Sequence, residues 1–107
     1  MEWGNPTIPA PKSAVAPRLI NRDEVLKAIK ANYPKGARAK GREAELSIVI
    51  RVDEKGNVRD AEVLASSDKD FDQAALIVAR RMRFDPAIVD GQAHAAKVVR
   101  KIQFRKD

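Results

Sequence analysis

From Glu45 to Val52 the chain alternates so regularly that its local structure is nearly dictated. Leu46, Ile48, Ile50 and Val52 fall on one face of an extended segment, with Glu45, Ser47 and Arg51 on the other. Successive strand side chains point to opposite faces, so this is a strand with one side in a core and one side toward water. Asp53-Glu54-Lys55-Gly56-Asn57 follows at once and reads as a hairpin turn, with Gly56 free to take positive φ. The return strand, Val58 to about Ala65, alternates less cleanly. Ala61, Val63 and Ala65 share a face while Val58 is out of phase, and a bulge near Asp60 reconciles them.

Helical patterns flank this hairpin. Asn21 with Glu24 three residues on resembles a capping box, and Val25, Leu26 and Ile29 give a short apolar stripe. Tyr33-Pro34 ends that helix, because the residue before proline is pushed away from helical geometry. Pro34 then opens a short turn through Ala37 and Ala39 that Gly41 closes. Asp70-Phe71-Asp72-Gln73 reads as a second cap. Behind it Phe71, Ala75, Val78 and Met82 form one stripe facing a sheet. This helix ends before Pro86, Gly91 turns the loop, and a last strand runs from about Lys97 to Phe104, with Val98, Ile102 and Phe104 on one face.

The order αββαβ predicts an α+β two-layer sandwich, with helices on one face of a three-stranded antiparallel-type sheet. A right-handed crossover through the long helix most simply passes over the first strand. The expected strand order is 2-1-3, with the last strand at an edge. Ahead of Asn21, Pro6, Pro9, Pro11 and Pro17 lie in a stretch with little apolar periodicity. Residues 1–20 therefore read as a flexible proline-containing linker and residues 21–107 as the folded domain.

Composition narrows the function. The chain has 107 residues and no Cys, which excludes disulfides and Cys-based zinc sites. The longest apolar run, Ala74 to Ala79, is far short of the roughly 18 residues of a spanning helix. A single histidine, His94, excludes any site needing two imidazoles, and no nucleophile elbow, phosphate-binding loop or dinucleotide fingerprint occurs. The reading is a non-enzymatic domain with no metal and no cofactor. Lys plus Arg number 21 against 15 Asp plus Glu, a net charge of +6. Such a balance suits phosphate tracking. Acidic residues are interspersed, however, and stacking aromatics are few, so a solvated basic surface is the better account and nucleic acid is not the expected partner.

From Tyr33 onward the residues resemble the C-terminal domain of the TonB family. The matching run is Tyr33-Pro34, Ala37, Gly41, the alternating strand, Val52-Asp53 and Gly56-Asn57-Val58. It continues through Val63, Ser66-Ser67, Phe71-Asp72-Gln73-Ala74-Ala75, Phe84-Asp85-Pro86-Ala87, Gly91-Gln92 and Ile102-Gln103-Phe104. The resemblance covers about two-thirds of the chain. The sequence departs from the family pattern at Ala44, where a second glycine is common, at Asp68 after the serines, and at Ala93-His94 in place of Pro-Val.

The resemblance implies the periplasmic domain of an inner-membrane-anchored energy transducer, joined to its anchor by a proline-rich spacer and driven by an ExbB–ExbD-type motor. Its implied partner is the extended TonB-box segment of an outer-membrane transporter for iron chelates or cobalamin-type nutrients, captured alongside the last strand. The implied contact residues are Tyr33 and Pro34 with Lys97, Val98, Val99, Arg100, Lys101, Ile102, Gln103 and Phe104. The chain then reads as a soluble piece of a longer protein. A TolA-like or motility-type envelope linker shares the same fold expectation, and monomer and strand-swapped dimer both stay open.

Overall fold

The computed structural model describes residues 13–106. Its centre is the strand that the alternation dictates, β3 (Ala44–Val52), whose even-numbered residues are all buried. On one side β3 pairs antiparallel with β4 (Val58–Ser66), and on the other with β8 (Ala96–Phe104), giving a sheet in the order β4-β3-β8. Two helices, α1 (Arg22–Ala31) and α3 (Asp72–Arg80), lay Val25, Ala28, Ala74, Ala75, Val78 and Ala79 into the core on one face of this sheet. A short helix α2 (Lys35–Ala39) follows Pro34 and is closed by Gly41 at φ 70°. The molecule is thus an α+β sandwich of helices on an antiparallel sheet.

Three aromatic rings meet in the core. Phe71 and Phe104 lie with centroids 5.2 Å apart, and Tyr33 meets each of them edge-on at 5.7 Å. Edge-to-face contacts match the positive rim of one ring to the negative face of another. They tie together the end of α1, the entry to α3 and the end of β8. The Tyr33 hydroxyl donates to the Arg42 carbonyl, so burial leaves this polar tip satisfied. Arg42 itself binds Asp68 and, at 3.0 Å, Asp70.

The β3–β4 pairing carries two bulges. One skips Arg59, close to the position near Asp60 that the phase of Val58 demands. The second, at Leu64, lies outside the sequence expectation, and it has a consequence. Past it Ala65 pairs with Ser47 on the open face, so Ala65 is exposed instead of sharing the buried side with Ala61. At the hairpin, Gly56 has φ 86°, and a Cβ there would sit 1.8 Å from the Phe84 carbonyl oxygen. The Gly56 carbonyl in turn accepts from the Phe84 N–H at 2.9 Å. Glycine is required twice over, by the turn and by this close approach.

Both expected caps take another form. Asn21 precedes α1 but makes no side-chain cap. Its amide donates to the Arg81 carbonyl at 2.8 Å and accepts from the Arg83 N–H at 2.9 Å, latching α1 to the segment after α3. Ahead of α3, Asp68 caps a 3-10 turn over Lys69–Phe71 by accepting from the Asp70 N–H. The turn, with Phe71 buried inside it, displaces the helix start to Asp72.

The linker expectation changes as well. Order begins ahead of Asn21, because β1 (Ala14–Val15) and β2 (Arg18–Leu19) pair antiparallel with β6 (Ala87–Val89) and β5 (Phe84–Asp85). The Asp90 N–H on the Ser13 carbonyl, the Ser13 N–H on the Asp90 carboxylate, an Arg18–Asp85 ion pair and the Ile20 N–H on the Arg83 carbonyl hold this strap. The stretch after Pro86, read as a plain loop, is a small hairpin of β6 and β7 (Gln92–His94) turned at Asp90-Gly91. Short strands with so few side chains to alternate leave no periodic trace. Pro6, Pro9 and Pro11 lie outside the described residues.

Candidate functional site

The sheet ends at β8, and among the described residues no strand pairs with its outer side. Which backbone groups face outward follows from the other side of β3. The Ser67 N–H donates to the Glu45 carbonyl at 3.1 Å, the Glu45 N–H donates to Ser67 Oγ at 2.9 Å, and the Asp53 N–H donates to the Asn57 carbonyl at 2.9 Å. Both ends of β3 therefore aim the backbone of odd-numbered residues at β4. The bulges skip residues of β4 only, so the alternation along β3 is unbroken and its even-numbered residues face β8. Their partners Phe104, Ile102, Arg100, Val98 and Ala96 are consumed by β3. The N–H and C=O groups of Lys97, Val99, Lys101 and Gln103 point away from the sheet.

Side chains clear this edge. Lys101 Nζ stands 3.3 Å from the Glu45 carboxylate on β3, and the Gln103 amide donates to the same carboxylate at 3.2 Å. Both are drawn back over the open face of the sheet. The hydrogen bond from Gln103, and next the Lys101 ammonium, hold the Glu45 carboxyl below its ordinary pKa. Val99 is 57% exposed on that same face.

The residues expected to contact a partner divide into two kinds. Lys97, Val99, Lys101 and Gln103 offer free backbone at the edge, while Arg100 is exposed on the helix side. Tyr33, Ile102 and Phe104 are buried, and Val98 is half-buried. The rings of Tyr33 and Phe104 and the methyls of Ile102 build the core, so these residues stand at the site by position within the fold. Pro34 stands half-buried as the residue before α2.

Beside the edge lies a cleft of about 490 Å³ between α1 and the second half of β8. Val25, Leu26, Ile29, Met82 and Ile102 give it an apolar lining, and Arg22, Lys30, Arg100 and Arg105 border it. None of these α1 residues belonged to the expected site. The signal available was Leu26, which cannot share the buried stripe of Val25 and Ala28 and is 47% exposed.

The family model for the C-terminal region of the Gram-negative bacterial TonB protein matches residues 29–105. The chain belongs to this TonB C-terminal family. Protein TonB of Xanthomonas campestris pv. campestris (strain B100) is 36% identical over 73 residues, covering 67% of this chain and 33% of that protein. Protein TonB of Vibrio cholerae serotype O1 is 31% identical over 91 residues, covering 83% of this chain and 37% of that protein. The chain thus spans about a third of the length of these relatives. Among solved structures, the solution structure of the Pseudomonas aeruginosa TonB C-terminal domain superposes with a TM-score of 0.55 at 25% identity, over 70% of this chain and 77% of that one. The Helicobacter pylori TonB C-terminal domain gives a TM-score of 0.54 at 20% identity over 80% of each chain, a likeness of fold. The matched TonB region takes in the sheet, α2, α3 and all of β8, and it begins inside α1. The strap of β1 and β2 lies outside it. No helix among the described residues is long and apolar enough to cross a membrane.

Proposed function

We propose that this domain is the periplasmic receiving end of a TonB-type energy transducer and takes up an extended segment of an outer-membrane transporter as a fourth strand along β8. An inner-membrane motor of the ExbB–ExbD type, acting through parts of the protein outside this chain, supplies the energy for nutrient import. The observation that carries this reading is the outer side of β8: four consecutive outward-facing backbone positions, Lys97, Val99, Lys101 and Gln103, in a strand with no bulge over its whole pairing with β3. Added strands gain affinity from main-chain hydrogen bonds along such an edge. A pull along the strand direction strains those bonds together instead of one after another, which suits transmission of force.

Tyr33 and Pro34 take part at a distance. The Tyr33 ring packs on Phe104 and fixes the end of β8 against the core. The test is a two-dimensional NMR titration of isotope-labelled protein with a TonB-box-like peptide and a scrambled control. Shifts along Lys97–Gln103 that the scramble does not cause are the expected result. Val99→Pro removes one outward N–H without touching the β3 pairing, and it weakens binding about tenfold or more. Unchanged affinity in a folded Val99→Pro protein overturns this register. Silence toward a panel of such peptides points instead to a TolA-like or motility-type partner.

A further inference from the structure

The strap formed by β1 and β2 is one strand with a gap in it. Ala14 faces Val89 and Val15 faces Ile88, while Arg18 faces Asp85 and Leu19 faces Phe84. The register is the same on both sides of the break, so by count Pro17 falls opposite Pro86. Neither proline has an N–H to give, and the ladder lapses between them. The pairing reaches further at each end. The Asp90 N–H donates to the Ser13 carbonyl at 2.8 Å, and the Ile20 N–H donates to the Arg83 carbonyl at 2.9 Å. Residues 83–90 thus offer an edge along which the chain lays its own residues 13–20. The family match begins at residue 29, after the strap.

We propose that this strap is a clasp that tension opens. A pull drawn through the chain ahead of Ser13 reaches the strap before it reaches α1 or the sheet, and it loads the Ser13–Asp90 bonds first. The grip of the strap is almost wholly backbone. Val15 and Ile20 are 58% and 54% exposed, and Leu19 is half-buried. The Arg18–Asp85 pair is exposed on both sides, where an ion pair adds little. An element held by exposed bonds and few apolar contacts opens by itself, well short of global unfolding. Beyond it stands a firmer stop. Asn21 holds the Arg81 carbonyl at 2.8 Å and the Arg83 N–H at 2.9 Å, and α1 then enters the core through Val25 and Ala28. Opening therefore frees residues 13–20 and halts at Asn21. It also uncovers the 83–90 edge, which continues through β7, ending at His94, into β8, beginning at Ala96. The domain has a closed form at rest and an open form under load. The transducer reading supplies the source of the tension, and the clasp itself does not rest on it.

Unzipping in an optical trap tests this. The chain has no Cys, so Lys12→Cys and Gln92→Cys give two unique handle sites at the outer end of the strap. Opening to Asn21 releases about 25–30 Å of chain, in a reversible step at lower force than unfolding of the domain. Asp90→Gly removes the acceptor of the Ser13 N–H and tolerates the φ of 50° at this position; it lowers the force of the step. Asn21→Ala removes the stop, and the step lengthens into α1. Without handles, the Ile20 and Asp90 amides exchange hydrogen at least about tenfold more slowly than an unstructured chain, and at least about a hundredfold faster than the amides of β3. Unfolding in one event with no earlier step overturns the inference. So do strap amides that exchange together with those of β3, or as fast as an unstructured chain. Each of these results leaves strand addition at β8 standing. A step that is present while TonB-box-like peptides are silent keeps the clasp and removes only the proposed source of its load.

Discussion

β4 and β8 are the two outer strands of one sheet, each nine residues long and each antiparallel to β3. They treat their free edges in opposite ways. β4 is broken at Arg59 and Leu64 by bulges, while β8 pairs in unbroken register at nine positions. A bulge twists an edge and misplaces its donors, which blocks further pairing whatever the partner. Charge blocks it only against partners without the complementary charge. β8 relies on Lys97 and nearby arginines, so its protection is conditional, and that of β4 is not. The two edges of one sheet thus follow opposite rules for further pairing.

The strands also differ in how they are anchored. Phe104 and Ile102 of β8 are fully buried, whereas β4 contributes buried Ala61 and half-buried Val58 and Val63. The largest expected effect breaks this asymmetry. Phe104→Ala removes a ring packed on both Phe71 and Tyr33, and it costs about 3–5 kcal/mol in urea unfolding. Val63→Ala on β4 costs about 1 kcal/mol. Similar losses at the two positions would show that β8 is no better held than β4, and an edge that yields first is a poor place to receive force.

A smaller effect tests the bulge. Either side of Leu64 the faces of β4 already match β3, with Val63 inward and Ala65 outward. Deleting Leu64 therefore leaves β4 regular with a straight outer edge from Asp60 to Ser66, the bulge at Arg59 alone remaining. Sedimentation velocity is expected to show concentration-dependent self-association of the deletion protein, absent from the parent. A folded deletion protein that stays monomeric to high concentration would assign the protection of β4 to Asp60 and Glu62 instead.

How far the sequence discloses this arrangement depends on the kind of signal. β3, the stripe of Phe71, Ala75, Val78 and Met82, and the last strand are visible because each buries one face over many residues. The bulge near Asp60 is visible because Val58 breaks phase between two clear neighbours. The bulge at Leu64 is not, because the small residues around it, Ala61 and Ala65, suit either face. β1, β2, β5 and β6 are held by backbone pairing with few buried side chains, and such pairing leaves no pattern to count. For the site, the edge position of β8 is legible from topology, and its outward-facing residues are not until the bonds of Glu45 and Asp53 fix the parity. The family resemblance alone marks Tyr33 as a contact residue. Its burial against Phe71 and Phe104 is a tertiary fact.

The smallest expected effect compares the ties of the two outer strands to their surroundings. At the exit of β4, the Arg42 guanidinium and then the Asp70 N–H hold the Asp68 carboxyl below its ordinary pKa. At β8, Gln103 and then Lys101 do the same to Glu45. A carboxyl whose folded pKa is lowered binds its proton more readily in the unfolded chain. Its stabilisation is therefore complete above the unfolded value, about 3.9 for Asp and 4.3 for Glu, and is lost as pH falls through the folded value. Urea midpoints should hold steady above these values and decline below them. Asp68→Asn lowers the plateau and flattens the decline, and its curve converges on the parent at low pH. Glu45→Gln does so more weakly, because the Glu45 side chain is 48% exposed against 21% for that of Asp68 and water screens it more. The order matters for β8. If Asp68 dominates, acid loosens the closed side of the sheet first and β8 stays paired; a steeper dependence on Glu45 would make β8 the acid-sensitive strand.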